Sequence, residues 1–328
     1  MTHPRTTAQT VPAIGVTMGD PHGIGPEILL KALTTSSVRR LAHWVVIGDH
    51  GVLERTARRL HLPTIERLSR VSLVNLANVT PRAWTPGRLS VVAGRASYDY
   101  LQEALHQWRA GAIEALVTAP VTKAAIQRAG ISFLGHTEWL ARSTRTQLAM
   151  MLLGGPLRVV LVTRHLSLRD VPRAVTPDAV RLTVRLTHHA LRAWFGLRRP
   201  RIAIASLNPH AGEAGSMGTE ELTVLRPVVA QLARVCPGLD GPIAPDAAFY
   251  AAYRGRYDAV VCMYHDQALI PLKMIARDGG VNITLGLPFV RTSPDHGTAL
   301  DIAGRGIADP GAMIAAMTLA AQLARRRS

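Results

Sequence analysis

The chain has 328 residues, 48% of them hydrophobic and 18% charged, which is enough to bury the core of two domains or of one large α/β unit. The sequence has no apolar run as long as a membrane span, and its first dozen residues lack the apolar core of a secretory signal and are expected to fray. The two cysteines, Cys236 and Cys262, are far apart and lack metal-ligand spacing. This argues against a disulfide scaffold and predicts a cytoplasmic protein with no membrane partner.

The formal net charge of +16 is compatible with nucleic-acid binding. The basic residues are nevertheless spread along the chain, with short clusters only at 198–199 and 325–327, and no aromatic residues alternate with them. We therefore expect an anionic small molecule as the ligand and no nucleic acid, with a basic nucleic-acid-binding protein as the remote alternative.

Lysine is rare in this sequence. Of the 38 basic residues only Lys31, Lys123 and Lys273 are lysine, and the others are arginine. A chain that uses arginine for generic surface charge would keep lysine where a compact ammonium must share or lose a proton. Chance survival on a solvated face is the alternative for each.

Apolar segments alternate with amphipathic ones in chain order, which predicts a layered α/β fold with a largely parallel sheet. A Gly-Gly-Pro turn between two apolar runs at 148–165 predicts a hairpin. The predicted strand segments are 13–20, 43–49, 113–120, 148–155, 157–165, 201–210, 257–267 and 281–288, and the predicted helices are 26–33, 97–111, 177–195, 219–235 and one from about 310.

Three of these strand segments end in, or run into, a histidine: His165, His210 and His265. Ligands of parallel α/β sheets gather beyond the carboxyl ends of the strands. A single histidine there is more often structural, but three in the same topological position favour a shared divalent metal, since neutral imidazole suits Zn, Co, Ni or Fe.

Two loops that open helices are candidate anion sites. GDPHGIGPE (19–27) is rich in glycine but lacks the G-x-G-x-x-G dinucleotide fingerprint, and an ordinary strand-to-helix turn explains it equally well. GHTEWLA (135–141) offers free amides, the imidazole of His136 and the hydroxyl of Thr137 at a helix start, where Thr137 as a plain N-cap is the alternative.

The densest polar stretch runs from His265 to Gly306. Lys273, Asn282 and Arg291 are candidate donors to an anionic substrate, because Arg291 can clamp an oxyanion bidentately and Lys273 can carry a proton. The loop DHGTALDIAGRG (295–306) has the glycine content to wrap a nucleotide without a Rossmann motif.

Seven motifs in order resemble those of the 4-hydroxythreonine-4-phosphate dehydrogenase family over about residues 14–321, and two of them also resemble isocitrate and isopropylmalate dehydrogenases. The motifs are GDPHGIGPE, VTAPVTK, GHTE, LNPHAGEAGSMGTEE, YDAVVCMYHDQ, VNITLGLPFVRTS and DHGTALDIAGRG. The resemblance implies a two-domain layered α/β fold with the active site in the interdomain cleft. We place an outer domain at 13–133 plus 295–328 and a central domain at 134–294.

The resemblance also implies roles for single residues. The metal ligands (Zn, Mg or Co) would be His165, His210 and His265, shared between the subunits of a homodimer. The substrate contacts would be His136, Thr137, Lys273, Asn282 and Arg291, with Lys273 or His136 as the base. The cofactor segment, for NAD or NADP, would contain His296, Thr298, Asp301 and Gly304. Asp246 matches an acid of the cleft whose role stays open.

The implied reaction is oxidation of 4-phosphooxy-L-threonine on the vitamin B6 route. A divalent cation makes the hydroxyl acidic enough to lose its proton to a base, so that its carbon can transfer hydride to the nicotinamide, and the β-keto acid loses CO2 to leave 3-amino-2-oxopropyl phosphate. The alternative substrates are 4-phospho-threonate or erythronate, and an aromatic dihydrodiol is disfavoured by the GHTEWLA and NPHAGEAGSMGTEE segments.

Overall fold

The structure, a computed structural model, describes residues 11–276 and 279–326, so most of the predicted N-terminal tail and Arg327 of the last basic cluster lie outside it. Eleven strands are found in the described part. They are β1 (Ala13–Thr17), β2 (His43–Gly48), β3 (Val71–Asn75), β4 (Ala115–Thr118), β5 (Ala149–Gly154), β6 (Leu157–Leu161), β7 (Ile202–Ala205), β8 (Leu239–Ile243), β9 (Ala259–Cys262), β10 (Val281–Leu285) and β11 (Val290–Pro294).

Helices connect most of these strands. They are α1 (Gly25–Thr34), α2 (Ser36–Arg39), α3 (His50–Arg59), α4 (Val91–Arg109), α5 (Lys123–Arg128), α6 (His136–Thr144), α7 (Val171–Ala174), α8 (Pro177–Ala193), α9 (Arg226–Leu232), α10 (Pro245–Tyr253), α11 (His265–Ala276) and α12 (Gly311–Arg325). Short 3-10 turns occur at Ile65–Arg67, Leu168–Asp170 and Pro209–Gly215, and one π turn at Glu221–Leu225 precedes α9.

All strands belong to one sheet in the order β3-β2-β1-β4-β11-β10-β5-β6-β9-β7-β8. Seven of its ten strand pairings are parallel. The pairings β11–β10, β10–β5 and β5–β6 are antiparallel. The predicted largely parallel sheet is therefore confirmed, with an antiparallel centre built from the predicted hairpin β5–β6 and a second one, β10–β11.

Burial follows position in this sheet. The central strands β4, β7, β9 and β11 are buried at every residue, whereas β3 and β8, at the two edges, are only partly buried. A strand covered by helices on both faces is usually apolar, and β4, β7 and β9 read as nearly continuous apolar runs. β11 (VRTSP) is the exception, because its buried Arg291 and Thr292 form hydrogen bonds inside the protein.

Helix α8 shows how the sequence pattern produces the packing. Thr176 caps it by accepting from the amide of Ala179 at 3.2 Å, and Pro177 occupies the first turn. The predicted stripe is buried as expected, because residues three and four apart share a helix face. It consists of Val180, Val184, Thr187, Leu191 and Trp194.

Several predicted element limits were wrong. The helix predicted at 97–111 begins earlier, at Val91, where the hydroxyl of Ser90 accepts from the amide of Ala93. The strands leading to the three histidines end three to five residues before them. No helix of the described residues is long and apolar enough to cross a membrane. The proposed division into two domains stays a prediction, and the sheet continues through both segments.

Candidate active site

A cavity of about 440 Å³ opens where the antiparallel centre of the sheet meets helix α6. Its polar wall contains every residue that the sequence predicted as a substrate contact. These are His136, Thr137, Lys273, Asn282 and Arg291. His165, His265 and His296 border the same cavity, so substrate, metal and cofactor candidates meet at one place.

Helix α6 presents its first turn to this cavity. Gly135 is the N-cap, so the reading of Thr137 as a plain N-cap is wrong: Thr137 lies in the first turn and is 5% exposed. The Nε2 atom of His136 is enclosed and has no hydrogen-bond partner in the described part of the chain. Burial, and then the charges of Arg291 and Lys123, lower the pKa of His136 well below its usual range. His136 is therefore a neutral imidazole that faces the cavity.

Arg291, on β11, lies beneath the cavity and is only 2% exposed. Its Nη1 and Nη2 atoms donate to the hydroxyls of Thr284 (3.1 Å) and Thr118 (2.5 Å), while Nε lacks a partner among the described residues. Burial lowers the pKa of Arg291 to about 10, with the carboxylate of Glu138 opposing the shift. The guanidinium is still charged at neutral pH, and a buried cation of this kind favours an anionic ligand.

Asn282 lies beside Arg291 because β10 and β11 are paired in register, Asn282 opposite Ser293. The Oδ1 atom of Asn282 is buried and has no partner within the described residues. Buried polar atoms without partners are rare in folded proteins and mark a place where a ligand or an ion supplies the missing bond.

Lys273, on α11, faces Asp295 across the cavity with 3.5 Å between Nζ and Oδ2. Burial raises the pKa of Asp295, and the charge of Lys273 opposes the shift. An acid that holds its proton more readily than usual, next to an ammonium, makes a pair in which a proton can pass between the partners.

Two of the three predicted metal ligands come together. The rings of His165 and His265 have centroids 5.6 Å apart and are tilted by 44°. The Nδ1 atom of His265 lies 2.6 Å from Asp266 Oδ1, which leaves Nε2 for a metal. Burial, and then the charge of Lys123, lower the pKa of His165, so its imidazole is neutral as a ligand must be. These two residues fit a metal that accepts nitrogen ligands.

The third histidine does not join them within one chain. His210 does not border the cavity, and among the described residues no three His, Cys, Asp or Glu side chains form a metal-binding group. The convergence of all three histidines in a single chain, as the strand ends suggested, is therefore not found.

The backbone at His210 has an unusual conformation. Five consecutive residues, 210–214, have φ between 40° and 77°, which makes a left-handed turn after β7. Each residue other than glycine costs roughly 1–2 kcal/mol in this region. The carboxylate of Glu221 holds the base of the turn by accepting from the amides of Leu207 (2.8 Å) and Asn208 (2.9 Å).

Glu221 is buried and also accepts from Asn208 Nδ2 at 2.9 Å. Burial raises the pKa of Glu221, but the hydrogen bonds from Asn208 and Leu207 outweigh it and the net pKa is lowered. Asp246, the acid of open role, borders a second cavity of about 480 Å³ together with Asn208, Pro209 and Asp266, next to the metal side of the first.

The predicted nucleotide loop forms turns at one end of the cavity. His296 lines the cavity, and Thr298 Oγ1 accepts from Thr122 Oγ1 at 3.1 Å. Asp301 is exposed, and Gly304 adopts φ +73° against Pro86.

The GDPHGIGPE motif contacts this loop. The amide of Ile24 donates to the carbonyl of Thr298 at 3.0 Å. Lys31 Nζ donates to Glu27 Oε1 (2.8 Å) and to the carbonyls of Gly306 (2.9 Å) and Ala308 (2.7 Å). Glu27 in turn accepts from the amides of Gly306 and Ala308. The motif thus anchors the end of the nucleotide loop to α1.

Three charged residues that line the cavity were not predicted as site residues: Lys123, Glu138 and Asp295. Each is part of, or adjoins, a motif that was recognised, since Lys123 ends VTAPVTK, Glu138 ends GHTE and Asp295 begins DHGTALDIAGRG. Their place inside these motifs was the available signal. Lys123 had in addition been singled out by the scarcity of lysine.

The chain is similar to several known proteins. The family model described as "Pyridoxal phosphate biosynthetic protein PdxA" matches residues 40–320. A 4-hydroxythreonine-4-phosphate dehydrogenase of Desulforapulum autotrophicum is 44% identical over 322 residues, covering 94% of this chain and 95% of that protein.

The chain is also similar to solved structures. The 4-hydroxythreonine-4-phosphate dehydrogenase of Klebsiella pneumoniae is 38% identical with a TM-score of 0.87, covering 96% of this chain and 98% of that one. A terephthalate 1,2-cis-dihydrodiol dehydrogenase of Burkholderia xenovorans is 29% identical with a TM-score of 0.68 (95% and 98% covered). A β-decarboxylating dehydrogenase of Thermococcus kodakarensis, 14% identical with a TM-score of 0.50 (94% and 81% covered), shares the fold alone. The resemblance drawn from the motifs is confirmed: the chain belongs to the PdxA family of pyridoxal phosphate biosynthetic proteins, a family of dehydrogenases.

Proposed function

We propose that this protein oxidises 4-phosphooxy-L-threonine with NAD or NADP, and that the β-keto acid formed loses CO2 to leave 3-amino-2-oxopropyl phosphate in vitamin B6 biosynthesis. The observation that carries the proposal is the cavity wall in which His136 Nε2, Asn282 Oδ1 and Arg291 Nε are all enclosed and without partners in the described chain. Three polar groups with unmet hydrogen bonds around one space call for a polar, anionic ligand.

The residues around the cavity suit a substrate that carries phosphate and carboxylate. Arg291 supplies a buried cation, and the first turn of α6 supplies amides whose dipoles favour negative charge. Thr137 adds a hydroxyl and His136 a neutral imidazole. These groups would bind and orient the substrate so that its reacting carbon has a fixed position.

In this proposal Lys273 and Asp295 carry out the proton transfer. Lys273 would accept the proton of the substrate hydroxyl as an amine, and Asp295, 3.5 Å away, would exchange protons with it. His136, the other candidate base, has a lowered pKa and is a weaker base, so we assign it to substrate binding.

His165 and His265 would hold a divalent cation, and Zn or Co suits their nitrogen ligands better than Mg. When bound, the cation would acidify the substrate hydroxyl and the nicotinamide would accept the hydride. Asp266 orients His265, and the loop that contains His296, Thr298, Asp301 and Gly304 would bind the nucleotide.

We further propose a cytoplasmic homodimer in which His210 of a second copy completes the metal site. Two observations support this arrangement. His210 stands on a left-handed turn apart from the other two histidines. Large apolar side chains are exposed nearby on α10 and α11, with Tyr250 70%, Ile270 61% and Met274 82% exposed. Exposed apolar surface of this kind marks a protein interface.

The substrate is tested with a panel. Purified protein receives phosphothreonine, 4-phospho-threonate or 4-phospho-erythronate with NAD or NADP, with and without a chelator, and the absorbance of the reduced cofactor is followed. We expect turnover of phosphothreonine that the chelator abolishes. Turnover confined to a sugar-acid phosphate would replace the proposed substrate, and turnover unaffected by the chelator would remove the metal from the proposal.

The shared site is tested by mixing inactive variants. His165→Ala and His210→Ala subunits, unfolded and refolded together, should recover about one quarter of the wild-type activity, because half of the dimers are mixed and one of their two sites is intact. The matched control mixes His165→Ala with His265→Ala, which damage the same side of every site and should recover nothing. Equal recovery in both mixtures, or in neither, would refute the shared site.

A further inference from the structure

Lys123 lies between the nucleotide loop and the substrate-binding residues of the cavity. It is the first residue of α5, directly after Thr122, whose hydroxyl is bonded to Thr298 of the nucleotide loop. On its other side, Nζ of Lys123 lies 3.4 Å from the point where a Cβ at Gly135 would stand, at the start of helix α6. The ammonium therefore stands between the nucleotide loop and the substrate donors.

The ammonium of Lys123 has no hydrogen bond or ion pair with the described residues, unlike the other two lysines. Lys31 has three acceptors, and Lys273 faces Asp295. Glu138 is the nearest acid by position, with Oε2 2.8 Å from the same point at Gly135, but its carboxylate pairs with Arg164 at 3.6 Å. Lys123 is thus a cavity cation without a direct hydrogen bond or ion pair in the described part of the chain, which leaves its ammonium available to a ligand.

The field of this ammonium reaches both ends of the cavity. Lys123 contributes, after burial and Arg291, to the lowered pKa of His136, and it lines the same cavity as His165. A cation close to both imidazoles makes the space between them positive. An anionic oxygen group there would contact Lys123 on one side and the His136–Arg291 wall on the other.

We propose that Lys123 is a substrate-binding residue whose ammonium contacts an anionic oxygen group of the substrate, carboxylate or phosphate, where the nucleotide loop meets the substrate donors. The proposal rests on the proposed function and adds a residue to it. It also explains why lysine is found at this position in a chain that elsewhere uses arginine: a compact ammonium fits between two loops better than a planar guanidinium on a longer stem.

The test compares Lys123→Met, Lys123→Arg and the control Arg128→Met, an exposed cation of the same helix. The metal-loaded protein is titrated calorimetrically with inorganic phosphate and with malonate, and the KM values for phosphothreonine and for the nicotinamide are measured separately. Lys123 is exposed, so its replacement should leave the unfolding temperature unchanged.

We expect Lys123→Met to bind one of the two anions about tenfold more weakly or worse and to raise the KM for phosphothreonine by a similar factor, the effect of losing one charged hydrogen bond. The anion that is affected identifies the contacted group. Lys123→Arg should recover part of the loss, and Arg128→Met should behave as the wild type.

Unchanged binding of both anions by Lys123→Met overturns the proposal, as does a rise confined to the nicotinamide KM or a wild-type protein that binds neither anion. Wild-type protein that binds an anion through Lys123 but does not oxidise phosphothreonine would refute the proposed function and leave the inference standing. The two failures are therefore distinguishable.

Discussion

The contact between Lys31 and the end of the nucleotide loop leads to a quantitative prediction. Replacing Lys31 with Met removes three hydrogen bonds and leaves the carboxylate of Glu27, 2% exposed, with only the amides of Gly306 and Ala308. Hydrogen bonds to charged groups contribute about 1.5–3 kcal/mol, and an uncompensated buried charge costs about 3–5 kcal/mol. Because Lys31 is 22% exposed and Glu27 keeps two donors, we expect the free energy of unfolding to fall by about 3 kcal/mol.

The assay is urea unfolding followed by circular dichroism, together with a nicotinamide titration followed by fluorescence. The matched control is Arg58→Met, which removes an ion pair of the same i,i+4 spacing on α3, where the side chains of Arg58 and Glu54 are 75% and 33% exposed. This control should cost about 0.5 kcal/mol or less. Lys31→Met should also weaken nicotinamide binding, because it releases the end of the loop.

Lys31→Arg separates the effect of the charge from that of the hydrogen-bond geometry. It keeps the charge, but a planar guanidinium cannot direct hydrogen atoms at three acceptors grouped around one point. An intermediate loss of stability is expected. If Lys31→Met costs no more than Arg58→Met, the assignment of GDPHGIGPE as the anchor of the nucleotide loop is wrong.

Further predictions concern the left-handed turn and the buried imidazole. Gly212→Ala places a Cβ 2.7 Å from Glu221 Oε2 at φ +77°, whereas Gly255→Ala has φ +76° with nothing within 4 Å. Both substitutions should lower the free energy of unfolding by about 1 kcal/mol through backbone strain. Only Gly212→Ala should also weaken Zn binding in a titration. Equal Zn affinity of the two variants would show that the turn does not contribute to metal binding. The lowered pKa of His136 means that its contribution to stability is complete above its unfolded pKa of 6.5 and is lost as the pH falls below it. In metal-free protein, His136→Gln should therefore lose less stability than the wild type between pH 7.5 and 5.5 in urea unfolding, and parallel losses would contradict a neutral, buried His136.

The sequence predicted the secondary-structure elements better than it predicted which ends of these elements lie close together in the fold. Most buried strands could be predicted from continuous apolar runs, and the Gly-Gly-Pro turn between β5 and β6 was correctly predicted to form a hairpin. The buried strand β11 was not predicted, because its sequence VRTSP is largely polar. The helix α8 and its buried stripe follow from spacing alone. These features depend on neighbours in the chain, for which a single sequence holds the information.

Contacts between residues that are far apart in the sequence could not be predicted in this way. The partners of Lys31, Gly306 and Ala308, lie 275 and 277 positions away, and nothing near Lys31 indicates them. His210 has the same strand-end setting as His165, yet it stands in a run of five left-handed residues. No local pattern predicts such a run, because most of its residues are not glycine, and the buried Glu221 that binds the preceding amides lies more than ten positions further along the chain.

The position of Arg291 in the sheet has a mechanical consequence. Its guanidinium joins Thr118 on β4 to Thr284 on β10, and β11 itself is hydrogen-bonded to both of these strands. The two sides of the cavity are thus connected by continuous backbone pairing rather than by a flexible linker, and they can approach one another only as the strands twist. Substrate capture should accordingly slow amide exchange at the rim, in α6 and the loop around His296, while the amides of β4 and β11 are already protected before anything binds.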